Sequence, residues 1–149
     1  MDLLLDRQLM CVTVVDICAA ALARSRDRLG PRAAAVRWIE ADVTGEWQAP
    51  AVDIWHDRAV FHFLTGALER ERYRAHLGRA LRPGGSAIIA TFALEGPDRC
   101  SGLPVRRYDP QMLQSELGSA FHLVESMREA HPTPAGTTQE FWFSRFVVG

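Results

Sequence analysis

Short β-branched apolar runs alternate with segments of helical periodicity along most of this chain. Cys11-Val12-Thr13-Val14-Val15 is too short for a helix and predicts a buried strand ending at Asp16. Ala19 to Leu29 carries Ala, Leu and Arg at helical spacing and stops at Gly30-Pro31. Val36 to Asp42 reads as a second strand, again closing on an aspartate, and Thr44 to Ala51, with Gly45 and Pro50, as a loop. Ahead of these, leucines at 3, 4, 5 and 9 fit the last turns of a helix packed on a sheet.

Val52 to Trp55 predicts a short strand that leads, through His56, Asp57 and Arg58, into an amphipathic helical stretch ending near Leu64. Phe61, Phe63 and Leu64 are its core residues. Three polar side chains in a row at the carboxyl end of a buried strand matter because open α/β sheets bind ligands there. Leu68 to Leu81 is a helix whose wet face takes Glu69, Arg70, Glu71, Arg72, Arg74 and Arg79, closed by Arg82-Pro83-Gly84-Gly85. Ser86 to Phe92 is the most apolar strand.

Glu95 to Tyr108, rich in Gly, Pro, Asp and Arg, predicts a long functional loop or lid. Asp109 caps, and Pro110 opens, a helix to about Leu117. Phe121 to Arg128 and Gln139 to Val148 form a terminal hairpin across Pro132, Pro134 and Gly136. The pattern is α/β: a Rossmann-like, mostly parallel sheet covered on both faces, with a C-terminal antiparallel hairpin, in one domain over residues 1–149.

Composition narrows the partners. The 17 Lys and Arg residues against 18 Asp and Glu give a net charge of -1, without the basic excess that neutralises nucleic-acid phosphates. No run approaches the length of a bilayer span and no basic n-region opens the chain, so a cytoplasmic protein without membrane contact is expected. Cys11, Cys18 and Cys100 form neither a CxxC pair nor an even set, so reduced thiols are expected, with no disulfide framework and no metal site.

Val14-Val15-Asp16-Ile17, Glu40-Ala41-Asp42-Val43, Trp55-His56-Asp57-Arg58 and Leu81-Arg82-Pro83-Gly84-Gly85, in that order, resemble the class I S-adenosylmethionine-dependent methyltransferases. The likeness runs from about residue 10 to the end. It implies S-adenosylmethionine as cofactor and a small molecule or a protein side chain as methyl acceptor. It makes Asp16 the acceptor for both ribose hydroxyls, with Ile17 beside the adenine, Asp42 on the adenine amino group and the Val43 backbone on a ring nitrogen. His56, Asp57 and Arg58 then stand near the methionine end and the substrate; no catalytic base is named. Beside the resemblance, His62, one helical turn beyond Arg58, is a candidate substrate contact, and Arg106, Arg107 and Tyr108 can cover the site as a lid and hold an anionic substrate.

The family's glycine-rich loop after its first strand belongs roughly 20 residues before Asp16 by βαβ spacing, where this chain has no residues. The resemblance therefore implies an N-terminally truncated form with weak or absent cofactor binding. Plainer readings stay open. Asp16 can cap the next helix, Asp42 is ordinary turn chemistry, His56 to Arg58 can open a helix with solvated charges, His62 can be a partly buried surface histidine, and Cys100 and Arg106 can be solvated. Two other functions remain: a non-catalytic scaffold or partner subunit completing its sheet across a homodimer, and a nicotinamide-dependent oxidoreductase, since an acidic residue after the second strand also suits NAD ribose.

Overall fold

The computed structural model describes Leu5, residues 11–133, Gly136 and residues 138–149. Apart from Leu5, the predicted helix end at residues 2–9 lies outside them. The chain falls into two compact units, Met1–Gln48 and Ala49–Gly149.

In the first unit, β1 (Val12–Asp16) pairs in parallel with β2 (Val36–Glu40), from Val12 opposite Val36 to Asp16 opposite Glu40. Between them α1 (Ala19–Leu29) buries Leu22 and Leu29, and Gly30, at φ 56, turns the chain into a 3-10 helix over Gly30–Ala35. A backbone at that φ favours glycine, which has no Cβ to clash. Trp38 anchors this connection by donating its indole N–H to the Ala33 carbonyl at 3.1 Å.

The second unit is built on a four-stranded sheet in the order β3-β4-β8-β7. Here β3 (Val52–Arg58) and β4 (Leu81–Phe92) are parallel, whereas β8 (Thr138–Val148) runs antiparallel to both β4 and β7 (Phe121–Pro132). The expected α/β layout with its late antiparallel hairpin is therefore present. Helices α2 (Ala67–Ala80) and α3 (Pro110–Leu117) are tied together by Arg70, which donates from Nε to Glu116 at 2.9 Å. Tyr73, Leu77, Ile89, Leu113 and Phe146 are buried in this unit's core. Asp109 caps α3 as expected, accepting from the Met112 N–H at 2.8 Å.

Three local expectations need correction. The strand at residue 52 runs through Arg58, and the predicted amphipathic helix is only a 3-10 turn, Phe61–Phe63. Asp57 sends its carboxylate to the Val60 and Phe61 N–H groups, which closes the chain before a helix can propagate. Arg70 is on the buried face of α2 rather than the wet one, at 8% exposure, because spacing of three and four residues aligns it with Tyr73 and Leu77. Finally, Glu95 to Tyr108 is not structureless: β5 (Arg99–Cys100) and β6 (Leu103–Pro104) form a small hairpin through Ser101 and Gly102, both at positive φ.

Candidate functional site

At the carboxyl end of β1, Asp16 accepts the Cys18 N–H on Oδ1 at 2.8 Å, and among the described residues its other oxygen has no partner. One oxygen thus sets the turn while the second is free to accept a hydroxyl, which a carboxylate does well. Ile17, next in sequence, is 68% exposed, an apolar surface beside the acid. After β2, Asp42 builds an Asx turn, accepting on Oδ1 from both the N–H and the hydroxyl of Thr44 at 2.8 Å; Val43 is half-buried within it. In this first unit the cofactor candidates and the plainer turn chemistry coincide: the same carboxylates shape the turns and face outward.

In the second unit, the pleat of β3 separates the three polar neighbours. Asp57 is buried, at 5% exposure, and accepts three hydrogen bonds: from Val60 N–H at 2.8 Å, Phe61 N–H at 3.1 Å and the Tyr73 hydroxyl at 2.7 Å. Tyr73 in turn accepts from the Trp55 indole N–H at 2.9 Å. Burial pushes the Asp57 carboxyl up to about 6, against the opposing pull of these donors. The Tyr73 hydroxyl is pushed well above its ordinary value by burial and then by the Asp57 charge.

His56 and Arg58 are exposed and, by strand alternation, project from the opposite face to Asp57. Loss of hydration on its packed side, then the Arg58 guanidinium, lower the His56 pKa. The structure therefore groups His56 with Arg58 and assigns Asp57 to positioning: it holds the turn that carries Phe61, His62 and Phe63. That turn begins at Ala59, whose φ of 63 is uncommon for a residue with a Cβ.

His62 is not the partly buried surface histidine of the plainer reading. It is fully buried and flanked by the rings of Phe63 and Phe92 at 4.6 and 4.7 Å, not at the surface. Burial pushes its pKa down to about 4. Nor does it sit one helical turn from Arg58, since that residue ends a strand. Arg106 is half-exposed and ion-paired to Glu116 at 2.8 Å, and its N–H donates to the His62 carbonyl at 2.8 Å. So Arg106 and His62 are brought together by backbone, while the Arg106 guanidinium is engaged with a carboxylate.

Tyr73 and Glu116 escaped the sequence reading. Tyr73 was legible only as a member of the apolar stripe with Leu77 and Ala80; nothing local announces an aspartate partner 16 positions earlier. Among the described residues, no group of three or more His, Cys, Asp or Glu could hold a metal ion, and no helix is long and apolar enough to cross a membrane.

A parallel pair ending in Asp16 and Glu40 in the first unit, and a mixed sheet with a late antiparallel hairpin in the second, give an α/β fold of Rossmann-like kind. A family model described as a methyltransferase domain matches residues 2–89, more than half of the chain, and the chain belongs to that family. Solved structures agree on the fold. The N-methyltransferase NodS from Bradyrhizobium japonicum WM9 superposes with TM-score 0.70 at 19% identity, covering 91% of this chain and 72% of that one. A SAM-dependent methyltransferase from Methanosarcina mazei gives TM-score 0.73 at 12% identity, with coverages of 99% and 86%. The glycopeptide N-methyltransferase MtfA, solved with S-adenosylmethionine, gives 0.68 at 14% identity, with coverages of 97% and 80%. No curated protein matches the sequence.

Proposed function

We propose that this chain serves S-adenosylmethionine-dependent methyl transfer to a small molecule or a protein side chain. Family membership supports the reaction class, and the observation that carries the cofactor assignment is Asp16, with one carboxylate oxygen spent on its own turn and the other, among the described residues, without a partner beside exposed Ile17. Asp16 holds the ribose, Ile17 covers the adenine, and Asp42 and Val43 contact the base edge. The cofactor's sulfonium supplies an activated methyl group.

What the chain's own residues contribute is orientation and exclusion of water. Asp57 fixes the turn bearing His62; His56 and Arg58 offer exposed polar contacts, and His62 and Arg106 the acceptor side. The test is a calorimetric titration with S-adenosylmethionine, wild type against Asp16→Ala. Saturable binding that weakens at least about tenfold in the variant, a difference of about 1.4 kcal/mol, supports the reading. Equal behaviour of the two chains contradicts it.

A second reading is a non-catalytic subunit whose sheet is completed by another copy. The observation favouring it is that, among the described residues, β1 pairs only with β2 and β3 only with β4, and unpaired strand edges invite a partner strand. Light scattering that finds a dimer supports this reading, and a cooperatively melting monomer counts against it.

A further inference from the structure

Among the described residues, four side chains of the second unit, His62, Thr91, Tyr108 and Ser144, bury polar atoms that nothing in the fold answers, and His62 and Tyr108 are the two aromatic ones. His62 and Tyr108 are fully buried. Among the described residues, neither ring nitrogen of His62 nor the Tyr108 hydroxyl has a hydrogen-bond partner. Unmatched polar atoms at such depth cost stability and are uncommon in a native core, so a pair of them needs an explanation.

The two share one neighbourhood. The Tyr108 ring lies 5.6 Å from Phe61, the residue before His62, and its N–H donates to the Phe92 carbonyl at 2.9 Å. The Phe92 ring in turn packs against His62 at 4.7 Å. Around them runs a ladder of rings: Phe63 on His62 at 4.6 Å, His62 on Phe92 at 4.7 Å, and Phe92 on Phe141 at 4.7 Å. Phe63 and Phe141 are only partly buried, so the ladder reaches the surface at both ends. Ring spacings of this size are those at which flat π-systems pack favourably.

We propose that His62 and Tyr108 are the polar contacts of a binding site for a flat aromatic molecule carrying a hydroxyl or ring N–H. Burial keeps the imidazole neutral at physiological pH, so one nitrogen accepts the ligand's hydrogen and the other donates, while the Tyr108 hydroxyl does either. Entry parts the segment from Val105 to Tyr108 from His62 and Phe92. Its tethers there are the backbone bonds of Arg106 and Tyr108 and the Arg106–Glu116 ion pair at 2.8 Å. The identification of this molecule as the methyl acceptor rests on the reading given under Proposed function; its binding does not.

The experiment uses the full chain with phenol and toluene, which share a ring and differ by a hydroxyl against a methyl group. Carbon-13 labelled histidine, with His62 assigned by its loss in His62→Leu, reports the site by NMR, and thermal shift reports affinity. Phenol is expected to move the His62 resonance and to bind at least about tenfold more tightly than toluene, the scale of one well-made hydrogen bond. His62→Leu and Tyr108→Phe each reduce that preference, and His62→Leu melts at or above the wild-type temperature because it removes unmatched nitrogens. Equal binding of the two probes overturns the proposal, as does a preference that survives both substitutions, or a His62→Leu chain that melts well below wild type. None of these readouts needs the cofactor. A chain that passes them yet ignores S-adenosylmethionine overturns only the methyl-acceptor assignment.

Discussion

The Tyr73 hydroxyl donates to Asp57 Oδ2 across 2.7 Å in a fully buried setting, and this bond joins α2 to the end of β3. Tyr73→Phe keeps the ring packing against Phe61 and Trp55 while removing that donor and the acceptor for Trp55. Leaving a buried carboxyl short of this donor costs about 1–3 kcal/mol. Denaturant unfolding of the two chains measures it, and a change below about 0.5 kcal/mol, the range of ordinary surface substitutions, contradicts the bond's importance.

Asp57 and His62 oppose each other in their response to pH. Asp57 is raised from 3.8 to about 6, so the folded chain holds more protons than the unfolded one in that interval, and its contribution is full below 3.8 and is lost as pH rises through 6. His62 is lowered from 6.5 to about 4, so its contribution is lost as pH falls from 6.5 through 4. The two effects largely cancel in the wild type. Asp57→Asn is expected to unmask a stability profile that climbs between pH 4 and 6.5, and His62→Leu one that declines, each by on the order of 3 kcal/mol. Melting curves across this window that run parallel for all three chains would refute the pairing.

Ala59 carries φ 63 between β3 and the 3-10 turn. A left-handed conformation costs a residue with a Cβ roughly 1 kcal/mol, which glycine does not pay. Ala59→Gly is therefore expected to be stabilising by a few tenths to about 1 kcal/mol, unlike most substitutions. A loss of 1 kcal/mol or more in chemical denaturation would show that the Ala59 methyl has a packing role that outweighs the strain.

Glu116 receives Arg70 at 2.9 Å and Arg106 at 2.8 Å, and Arg70 also donates to the Leu64 and Thr65 carbonyls at 3.0 and 2.8 Å. With Arg70 nearly buried, Glu116→Gln leaves a cation short of its counterion and is expected to cost about 3 kcal/mol, the low end for breaking a buried pair. A double-mutant cycle with Arg70→Met isolates the coupling. Additive single effects would mean that the backbone carbonyls, not Glu116, hold Arg70.

Much of the architecture was legible because strand and helix periods differ. Cys11 to Asp16, Ala19 to Leu29 and Asp109 to Leu117 emerged at nearly their observed bounds, since apolar spacing and caps act locally. The end of β3 was misread for a physical reason. Whether Phe61 to Leu64 continues a helix depends on what Asp57 does with its oxygens, and that is settled by Tyr73 on another element. Long-range partners also decide why Arg70 is buried and why His62 is sealed among rings. The acidic ends of β1 and β2 were readable by position, whereas the separation of His56 and Arg58 from Asp57 required knowing that the strand, with its alternation, extends through them.

The account turns on Asp16 and the carboxylate oxygen that has no partner among the described residues, and S-adenosylmethionine titrated into wild type and Asp16→Ala tests it most directly. The wild type is predicted to bind S-adenosylmethionine saturably, and at least about tenfold more tightly than the variant. Indistinguishable isotherms for the two chains, or no saturable heat from the wild type at millimolar cofactor, would contradict it.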